Sequence, residues 1–170
     1  AYLAQRVNDG TSYAGKYFEL TNGIDLSGSR WTPIGKVISE LEQYLFQGSF
    51  DGGGHSVAGL AVGTSDTPSS LLRIGLFGHV GEGGALKNLT ISGAVYGQIG
   101  SNCGILVGQN DGSITNCSAA GSVSGGSFNG GLVGYNDGGS ITNCHADATV
   151  SGDTNNGGLV GYNDGSITNC

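Results

Sequence analysis

The chain has 170 residues, a formal net charge of −7, 35 glycines and only 2 prolines, and 11% of its residues are charged. Its six Lys and Arg residues form no basic stripe, so the composition excludes nucleic-acid binding and attraction to an anionic membrane. No apolar run reaches the roughly 18 residues that cross a bilayer, and the modest charge excludes a disordered chain.

The first ten residues predict a helix. Leu3, Ala4 and Val7 recur at helical spacing, and Gly10 would end the helix. We expect residues 1–9 to form a short helix that caps the strands behind it. Such a cap is needed when strands are stacked, because a bare first layer exposes unpaired strand edges.

The segment that follows mixes strands, a turn and loops. Residues 17–26 (YFELTNGIDL) predict a first strand pair, and residues 31–35 (WTPIG) predict a turn with a large apolar anchor. Residues 36–49 and 63–73 have little periodicity, so we expect them to be loops that leave the regular structure.

The C-terminal part repeats one block three times. Residues 104–117 read GILVGQNDGSITNC, residues 130–144 read GGLVGYNDGGSITNC, and residues 157–170 read GGLVGYNDGSITNC. A block that recurs every 26 or 27 residues is typical of a solenoid. Each block contains short apolar–polar alternation and an Asp-Gly turn, in which Gly would supply a positive φ. The sequence therefore predicts an all-β, right-handed parallel β-helix (solenoid) of about five coils with a short N-terminal capping helix.

Extending the alignment backwards predicts two inward columns of side chains. The first column consists of Val57, Leu86, Ile114, Ile141 and Ile167. The second column consists of Leu60, Leu89, Cys117, Cys144 and Cys170. Because cysteines take the place of Leu in this column, we interpret them as small buried apolar groups. A linear column cannot supply the tetrahedral geometry of a zinc site.

Cys103 lies outside these columns. It aligns near Asn129 and Asn156, and we expect it to be the exposed thiol of the chain. The sequence is compatible with a disulfide between Cys103 and Cys117 and does not determine the redox state of the four cysteines.

Three polar columns each leave two interpretations open. A column of Asn residues would bond amide to amide between coils, or would face outwards and contact a glycan: Asn88, Asn116, Asn143 and Asn169. A column of Asp residues would face solvent, or would bind calcium, although one carboxylate per coil supplies fewer oxygens than calcium needs: Asp111, Asp137 and Asp164. Tyr135 and Tyr162 would pack at a turn or form an aromatic strip for sugar.

No catalytic constellation recurs in register. The histidines fall at different positions of their coils: His55, His79 and His145. The basic residues do not assemble into a cluster by register: Arg30, Arg73, Lys36 and Lys87. We therefore predict no catalytic residue, no cofactor site and no metal site, and we expect the chain not to be an enzyme.

The repeated cores Gly131–Gly134 and Gly158–Gly161 both read Gly-Leu-Val-Gly, and the segments 17–28, 31–35 and 50–60 match the leader that precedes such repeats. With these motifs the chain resembles the GLUG-repeat family of bacterial secreted and cell-surface proteins. The resemblance implies an adhesin-like protein of the cell surface. The family also includes some immunoglobulin-A-cleaving metallopeptidases, but the His-Glu-x-x-His zinc motif of such enzymes is missing here.

The sequence thus predicts a non-enzymatic extracellular module for surface display or adhesion, or a structural stalk. One alternative is a glycan-binding or glycan-cleaving β-helix, and another is a filament subunit that stacks end to end. The expected partners are a host or bacterial surface protein or glycan, or a second copy of the chain, with no nucleic acid and no membrane insertion. Residues 1–49 are assigned to the cap and first coil and residues 50–170 to the repeats. The chain stops within a repeat, which predicts a longer parent protein.

Overall fold

The computed structural model describes residues 2–170. Within these residues there is one helix, α1 (Tyr2–Asn8). The strands that follow are β1 (Tyr17–Glu19), β2 (Ile24–Asp25), β3 (Val37–Ser39), β4 (Glu42–Gln43), β5 (Ser49–Asp51), β6 (Ser56–Val62), β7 (Arg73–Ile74), β8 (Phe77–Val80), β9 (Ala85–Lys87), β10 (Thr90–Tyr96), β11 (Asn102–Gly104), β12 (Val107–Asn110), β13 (Ser113–Thr115), β14 (Ser118–Gly125), β15 (Phe128–Gly130), β16 (Val133–Asn136), β17 (Ser140–Thr142), β18 (His145–Gly152), β19 (Asn156–Gly157), β20 (Val160–Asn163) and β21 (Ser166–Thr168).

All of these strands except β3 and β4, which form a separate antiparallel pair, build four parallel sheets that run along the molecule. Sheet 1 has six strands in the order β1-β5-β9-β13-β17-β21, and sheet 2 has five in the order β2-β6-β10-β14-β18. Sheets 3 and 4 have four strands each, in the orders β7-β11-β15-β19 and β8-β12-β16-β20. Because successive coils each add one strand to a sheet, the chain is a parallel β-helix of about five coils. The predicted fold class is confirmed.

The predicted capping helix is also confirmed. Ala4 and Val7 of α1 are buried and join the apolar core. Asn8 fixes the end of the helix to the first coil: its Nδ2 donates to the carbonyl oxygen of Pro33 at 2.9 Å, and its Oδ1 accepts from the backbone N–H groups of Gly35 at 3.0 Å and Lys36 at 2.8 Å. No helix within residues 2–170 is long and apolar enough to cross a membrane.

The register of the first inward column is correct from Leu86 onwards and wrong for Val57, and its last member, Ile167, is 41% exposed rather than inward. In sheet 1, Leu86 pairs with Phe50 on one side and with Ile114 on the other. Val57 instead lies in sheet 2, where it pairs with Ile91. The error arises because residues 57–60 copy the spacing of two apolar residues in 86–89 but belong to a different sheet.

The second column needs the same correction at Leu60, which pairs with Gly93 in sheet 2. The register between β6 and β10 shifts beside that pair, and Gly59 adopts a φ of 71°. A bulge of this kind inserts a residue into one strand, and spacing alone does not reveal it. From Leu89 onwards the column is continuous, since the backbone N–H of Ser118 donates to the Leu89 carbonyl oxygen at 2.9 Å.

The irregular N-terminal segments also differ from their predictions. Strands β1 and β2 both form within residues 17–26, but they pair with β5 and β6 rather than with each other. The segment 36–49, predicted as a loop, contains the antiparallel hairpin β3–β4 and the start of β5. Within residues 63–73 the only strand residue is Arg73, so that segment is a loop as predicted.

The Asp-Gly turns are not all built on a positive φ. Gly138 adopts a φ of 72°, whereas Gly112 and Gly165 lie outside the positive-φ region. A Cβ at Gly112 would lie 3.0 Å from the carbonyl oxygen of Gly81 in the preceding coil. At that position the glycine is therefore required by close stacking of the backbone rather than by its φ.

Candidate functional site

A hydrogen-bonded row of polar and aromatic side chains follows sheet 4 across its strands. We call it the lateral row, and it consists of one register position of the sheet together with two turn residues. The register position holds His79, Gln109, Tyr135 and Tyr162, and each of them pairs with the next one across neighbouring strands. The turn residues are Asp111 and Asp137.

His79 lies between a cation and a carboxylate at the first rung of the lateral row. Its Nδ1 lies 3.0 Å from Nη1 of Arg73, and its Nε2 lies 2.7 Å from Oδ2 of Asp111. Because a guanidinium can only donate, Nδ1 must accept and Nε2 must carry the proton that it donates to Asp111. Both ring nitrogens are thus used by neighbouring side chains.

Arg73 ties this rung to the β3–β4 hairpin. Its Nη1 donates to Oε1 of Gln43 at 2.8 Å, and its Nη2 lies 3.4 Å from Oε2 of Glu40. Burial lowers the pKa of Arg73, which stays protonated. Burial alone would raise the pKa of Asp111, but the contributions of His79, Gln109 and Arg73 together outweigh burial and lower it. Arg73, His79 and Asp111 form a cluster that the alignment did not predict, because Arg73 lies at the end of a non-repeating loop.

The next rungs bridge the aspartates that the sequence placed in a column. Nε2 of Gln109 lies 3.0 Å from Oδ1 of Asp111 and 3.1 Å from Oδ2 of Asp137. The hydroxyl of Tyr135 donates to Oδ1 of Asp137 at 3.1 Å. These carboxylates are therefore bonded to amide and phenol donors. No group of three or more His, Cys, Asp or Glu side chains suited to a metal ion occurs among residues 2–170.

The two tyrosines of the lateral row pack with a third ring, that of Phe128 in β15. The ring centroid of Phe128 lies 5.6 Å from that of Tyr135 and 5.2 Å from that of Tyr162, and the two tyrosines are 5.4 Å apart. The tyrosines thus pack on each other and on Phe128. Tyr162 is 46% exposed, so part of the cluster also faces solvent.

The cysteine column lies in the interior except at its last member. Cys117 and Cys144 are buried, Cys170 is exposed, and all are free thiols. The backbone N–H of Cys117 donates to Sγ of Cys144 at 3.4 Å, and that of Cys144 donates to Sγ of Cys170 at 3.2 Å. The neighbouring Cys144 thiol, followed by burial, raises the pKa of Cys117. These contacts agree with the interpretation of the column as core.

The prediction that Cys103 is exposed is wrong. Its side chain is completely buried, and burial raises its pKa to about 12. It does lie beside Asn129, as the alignment predicts, and its other neighbour in sheet 3 is Ile74. That position faces the core, which a single cysteine in an otherwise polar alignment column does not reveal. Cys103 and Cys117 are not bonded to each other.

The predicted Asn column bonds amide to amide between coils. Nδ2 of Asn116 donates to Oδ1 of Asn88 at 3.2 Å, and Nδ2 of Asn143 donates to Oδ1 of Asn116 at 3.2 Å. Asn116 and Asn143 are nevertheless exposed. These residues adopt φ values near 54°, in the left-handed region that Asn tolerates better than most residues.

The alignment does not predict a second Asn ladder, which is buried at Asn110 and Asn136 and exposed at Asn163. Nδ2 of Asn110 donates to Oδ1 of Asn136 at 2.7 Å, and Nδ2 of Asn136 donates to Oδ1 of Asn163 at 2.7 Å. Asn110 and Asn136 have no exposed surface. The signal was present in the sequence, since an Asn-Asp pair stands in every block.

Asp51 is the centre of a separate polar cluster near the N-terminal end. Its Oδ2 accepts from the Tyr17 hydroxyl at 2.9 Å and lies 3.1 Å from Nζ of Lys87. Its Oδ1 accepts from the backbone N–H of Gly53 at 2.9 Å and from Nδ2 of Asn88 at 3.0 Å. The hydrogen bond from Gly53, then that from Asn88, holds the pKa of Asp51 far below its usual range. The carboxylate is saturated and connects three coils.

A cleft of about 610 Å³ lies between α1 and the segment 25–36. Its walls include Asp9, Asp25, Arg30, Trp31 and Lys36. Two of the four basic residues that register keeps apart are thus brought to one cleft. The segment is not repeated, so no alignment of coils could place these side chains together.

The fold and these sites can be compared with known proteins. The GLUG motif family matches residues 130–151. Halomucin of Haloquadratum walsbyi is 37% identical over 140 residues, which is 76% of this chain and 1% of halomucin. A Gly-rich membrane protein of Evansella cellulosilytica is 33% identical over 112 residues, which is 61% of this chain and 12% of that protein.

Among solved structures, a Bacteroides ovatus protein described as an immunoglobulin A1 protease aligns with 96% of this chain and 60% of its own, at 19% identity and a TM-score of 0.48. A similarity of that size supports no argument about function. The resemblance predicted from the sequence is therefore judged on the family match and the two relatives. The chain carries the GLUG motif, and its resemblance to GLUG-repeat proteins is confirmed.

Proposed function

We propose that this chain is an extracellular β-helical module of a cell-surface protein. Its role is surface display or adhesion, and it performs no catalysis of its own. The name of the Evansella relative as a membrane protein supports a place at the cell surface. The chain spans only 1% and 12% of the two relatives, so the proposal concerns a module within a larger architecture.

The observation that carries the proposal is the register of the C-terminal coils. Ile114, Ile141 and Ile167 are successive cross-strand partners, and the neighbouring Ser and Thr positions pair in the same way. Each coil lengthens the stack by about 4.8 Å. The result is a stiff body on which the same side chains recur at a fixed interval. Weak contacts repeated along such a face add up through effective concentration.

The polar clusters support a role without catalysis. Both ring nitrogens of His79 are occupied by Arg73 and Asp111. All the hydrogen bonds of the Asp51 carboxylate are made to groups of the same chain. A catalytic acid, base or nucleophile needs a free position towards a substrate. In these clusters the side chains instead fasten coils and a hairpin together.

Adhesion can be tested with beads coated with the chain. Coated beads should bind bacterial or animal cells saturably, whereas the free chain should bind far more weakly, because the beads engage many weak contacts at once. Beads coated with the heat-denatured chain are the control. Equal binding by both kinds of bead would contradict an adhesive role of the fold.

The absence of catalysis needs its own measurement. Incubation with neutral and acidic polysaccharides should produce no new reducing ends and no unsaturated sugar products. Release of such products, in proportion to the amount of chain added, would contradict the proposal and support the glycan-cleaving alternative. Light scattering across concentration tests the end-to-end association that the sequence suggests.

A further inference from the structure

The cleft between α1 and the segment 25–36 has a rigid aromatic wall. The indole Nε1 of Trp31 donates to the carbonyl oxygen of Leu76 at 3.0 Å. The backbone N–H of Trp31 donates to the carbonyl oxygen of Ala61 at 2.9 Å. The half-buried ring lines both the cleft and an apolar cavity beneath it. Ring and backbone are both fixed to the β-helix, so the wall is set before any ligand arrives. A preformed site of this kind loses little conformational entropy on binding.

The other walls carry charges of both signs. Arg30 and Asp9 are exposed, and neither side chain forms an ion pair or hydrogen bond with any of residues 2–170. Oδ1 of Asp25 accepts from the backbone N–H of Ser27 at 2.8 Å. Hydrogen bonds from Ser27 hold the pKa of Asp25 below its usual value, which keeps its carboxylate ionised. The ammonium of Lys36 lies 5.5 Å from the ring centroid of Tyr44.

This balance of charge selects the kind of ligand. An anionic ligand would meet two carboxylates in the cleft, and a cationic ligand would meet an arginine and a lysine. A sugar hydroxyl both donates and accepts, so one polyhydroxylated ligand can bond to the carboxylates, the guanidinium and the ammonium together. The apolar C–H face of a sugar ring fits the surface of an indole, which is large, rigid and amphipathic.

The size of the cleft agrees with such a ligand. Its volume of about 610 Å³ lies within the range of roughly 300–1,000 Å³ over which protein pockets enclose small organic molecules. We infer that this cleft binds a short segment of an uncharged oligosaccharide through Trp31, Arg30 and the two aspartates. The inference rests on the adhesive part of the proposed function and gives that function a ligand class and a place.

The chain supplies its own probe for this site. Trp31 is its only tryptophan, so intrinsic tryptophan fluorescence reports on the cleft alone. The full chain is titrated with cellohexaose, maltohexaose, mannohexaose and chitohexaose as neutral probes, and with hexagalacturonate and hexalysine as charged probes. At least one neutral hexamer should shift or quench the emission saturably, and isothermal titration calorimetry should give the same Kd. Neither charged probe should produce a saturable change.

Variants with matched controls localise the binding. Arg30→Ala and Asp9→Ala should each weaken the binding of the active hexamer about tenfold or more. The controls are Arg6→Ala, which removes an exposed arginine of α1, and Asp66→Ala, which removes an exposed aspartate of the loop 63–72; neither residue lines the cleft. Both controls should keep the affinity of the parent chain. All four residues are exposed, and matching thermal unfolding curves would show that each variant is folded.

Several outcomes would overturn the inference. One is a flat fluorescence titration with every neutral hexamer, and another is a saturable response to hexagalacturonate or hexalysine alone. Equal weakening by the control variants would place the ligand elsewhere. If coated beads adhere to cells equally well with Arg30→Ala and no hexamer binds, the cleft has no sugar but the adhesive function stands. If a hexamer binds at Trp31 and coated beads do not adhere, the site stands and the adhesive function fails.

Discussion

Residues 2–100 and residues 101–170 build the same β-helix from different kinds of contact. In the second region, which we call the regular region, each coil repeats the contacts of the one before, such as the Asn ladders. The first, or irregular, region depends on contacts made once, such as those of Asn8 and Asp51. Repetition gives the regular region uniform faces. The cleft with Trp31 lies in the irregular region, where α1 and the segment 25–36 depart from the regular coil and leave space beside the stack.

The first prediction compares one core position in the two regions. Phe77 and Val133 belong to the same inward column, since each pairs with Val107. Phe77 packs against Phe46 and Phe50, with ring centroids 5.1 and 5.5 Å away. Phe77→Ala should reduce the free energy of unfolding by about 4 kcal/mol, and Val133→Ala by about 2 kcal/mol, because the larger side chain leaves the larger cavity. Urea denaturation measured by circular dichroism provides both values.

Equal costs at the two positions would show that the aromatic contacts add nothing beyond those of a regular coil. The two variants should also differ in how they unfold. A repeat array can lose coils separately. Tryptophan fluorescence reports on residue 31, so the unfolding transition that it detects should shift strongly in Phe77→Ala and less in Val133→Ala.

The second prediction concerns two glycines of the repeated block. A Cβ at Gly134 would lie 2.6 Å from the backbone nitrogen of Cys103 and 2.7 Å from the carbonyl oxygen of Gly108, whereas one at Gly138 would meet nothing within 4 Å. Gly134→Ala should therefore cost about 3 kcal/mol by forcing backbones apart. Gly138→Ala should cost about 1 kcal/mol, because only its φ of 72° is unfavourable for alanine. Thermal unfolding followed by calorimetry measures both, and equal costs would refute close stacking as the reason for the motif glycine.

The same contrast explains how much of the fold the sequence could predict. Where coils repeat, alignment identifies partners directly, and the pairing of Leu86, Ile114, Ile141 and Ile167 is as expected. Where coils do not repeat, two apolar residues three apart fit more than one sheet. For that reason the alignment predicts the wrong sheet for Val57. The missing information is the length of the connection between strands, which in this region is set by unique side-chain contacts.

The candidate sites follow the same rule. The outer Asn ladder could be predicted because its members stand in one alignment column. The contact of His79 with Arg73 could not, because Arg73 ends a non-repeating loop and the pair has no second copy in another coil. The cleft is also unpredictable from register, since α1 and the segment 25–36 occur once. Contacts that occur only once in the fold have no second copy in the sequence, so an alignment of the coils cannot predict them.

The third prediction tests a single-use contact by pH. Asp51→Asn should reduce the free energy of unfolding by about 2 kcal/mol near neutral pH, since hydrogen bonds to a charged group are lost or weakened. The pKa of Asp51 is lowered in the folded chain, so its stabilisation is complete above the unfolded value of about 3.9 and is lost as the pH falls below that value. Urea midpoints of the two proteins should therefore differ at pH 7 and converge in acid. Parallel curves down to pH 2.5 would contradict the role of the ionised carboxylate.

The last and smallest effect compares the two Asn ladders within the regular region. Asn136 is fully buried and bonds amide to amide with the coils on either side. Asn143 is exposed and bonds amide to amide with the preceding coil. Asn136→Ala strands the Asn110 amide without its partner in the interior and should cost about 1.5 kcal/mol or more. Asn143→Ala leaves amides that water can reach, so its cost should be about 0.5–1 kcal/mol, mainly from the left-handed backbone.

Asn143→Gly separates those two contributions at the exposed ladder. Glycine accepts the φ of 54° without strain but makes no amide bond, so its urea midpoint measures the ladder bond alone. We expect Asn143→Gly to be closer to the parent than Asn143→Ala. If it is as destabilised as Asn136→Ala, the exposed amide bonds hold the coils together as strongly as the buried ones. Burial would then not be what distinguishes the two ladders, and the outer face of the regular region would be a structural seam rather than a surface open to partners.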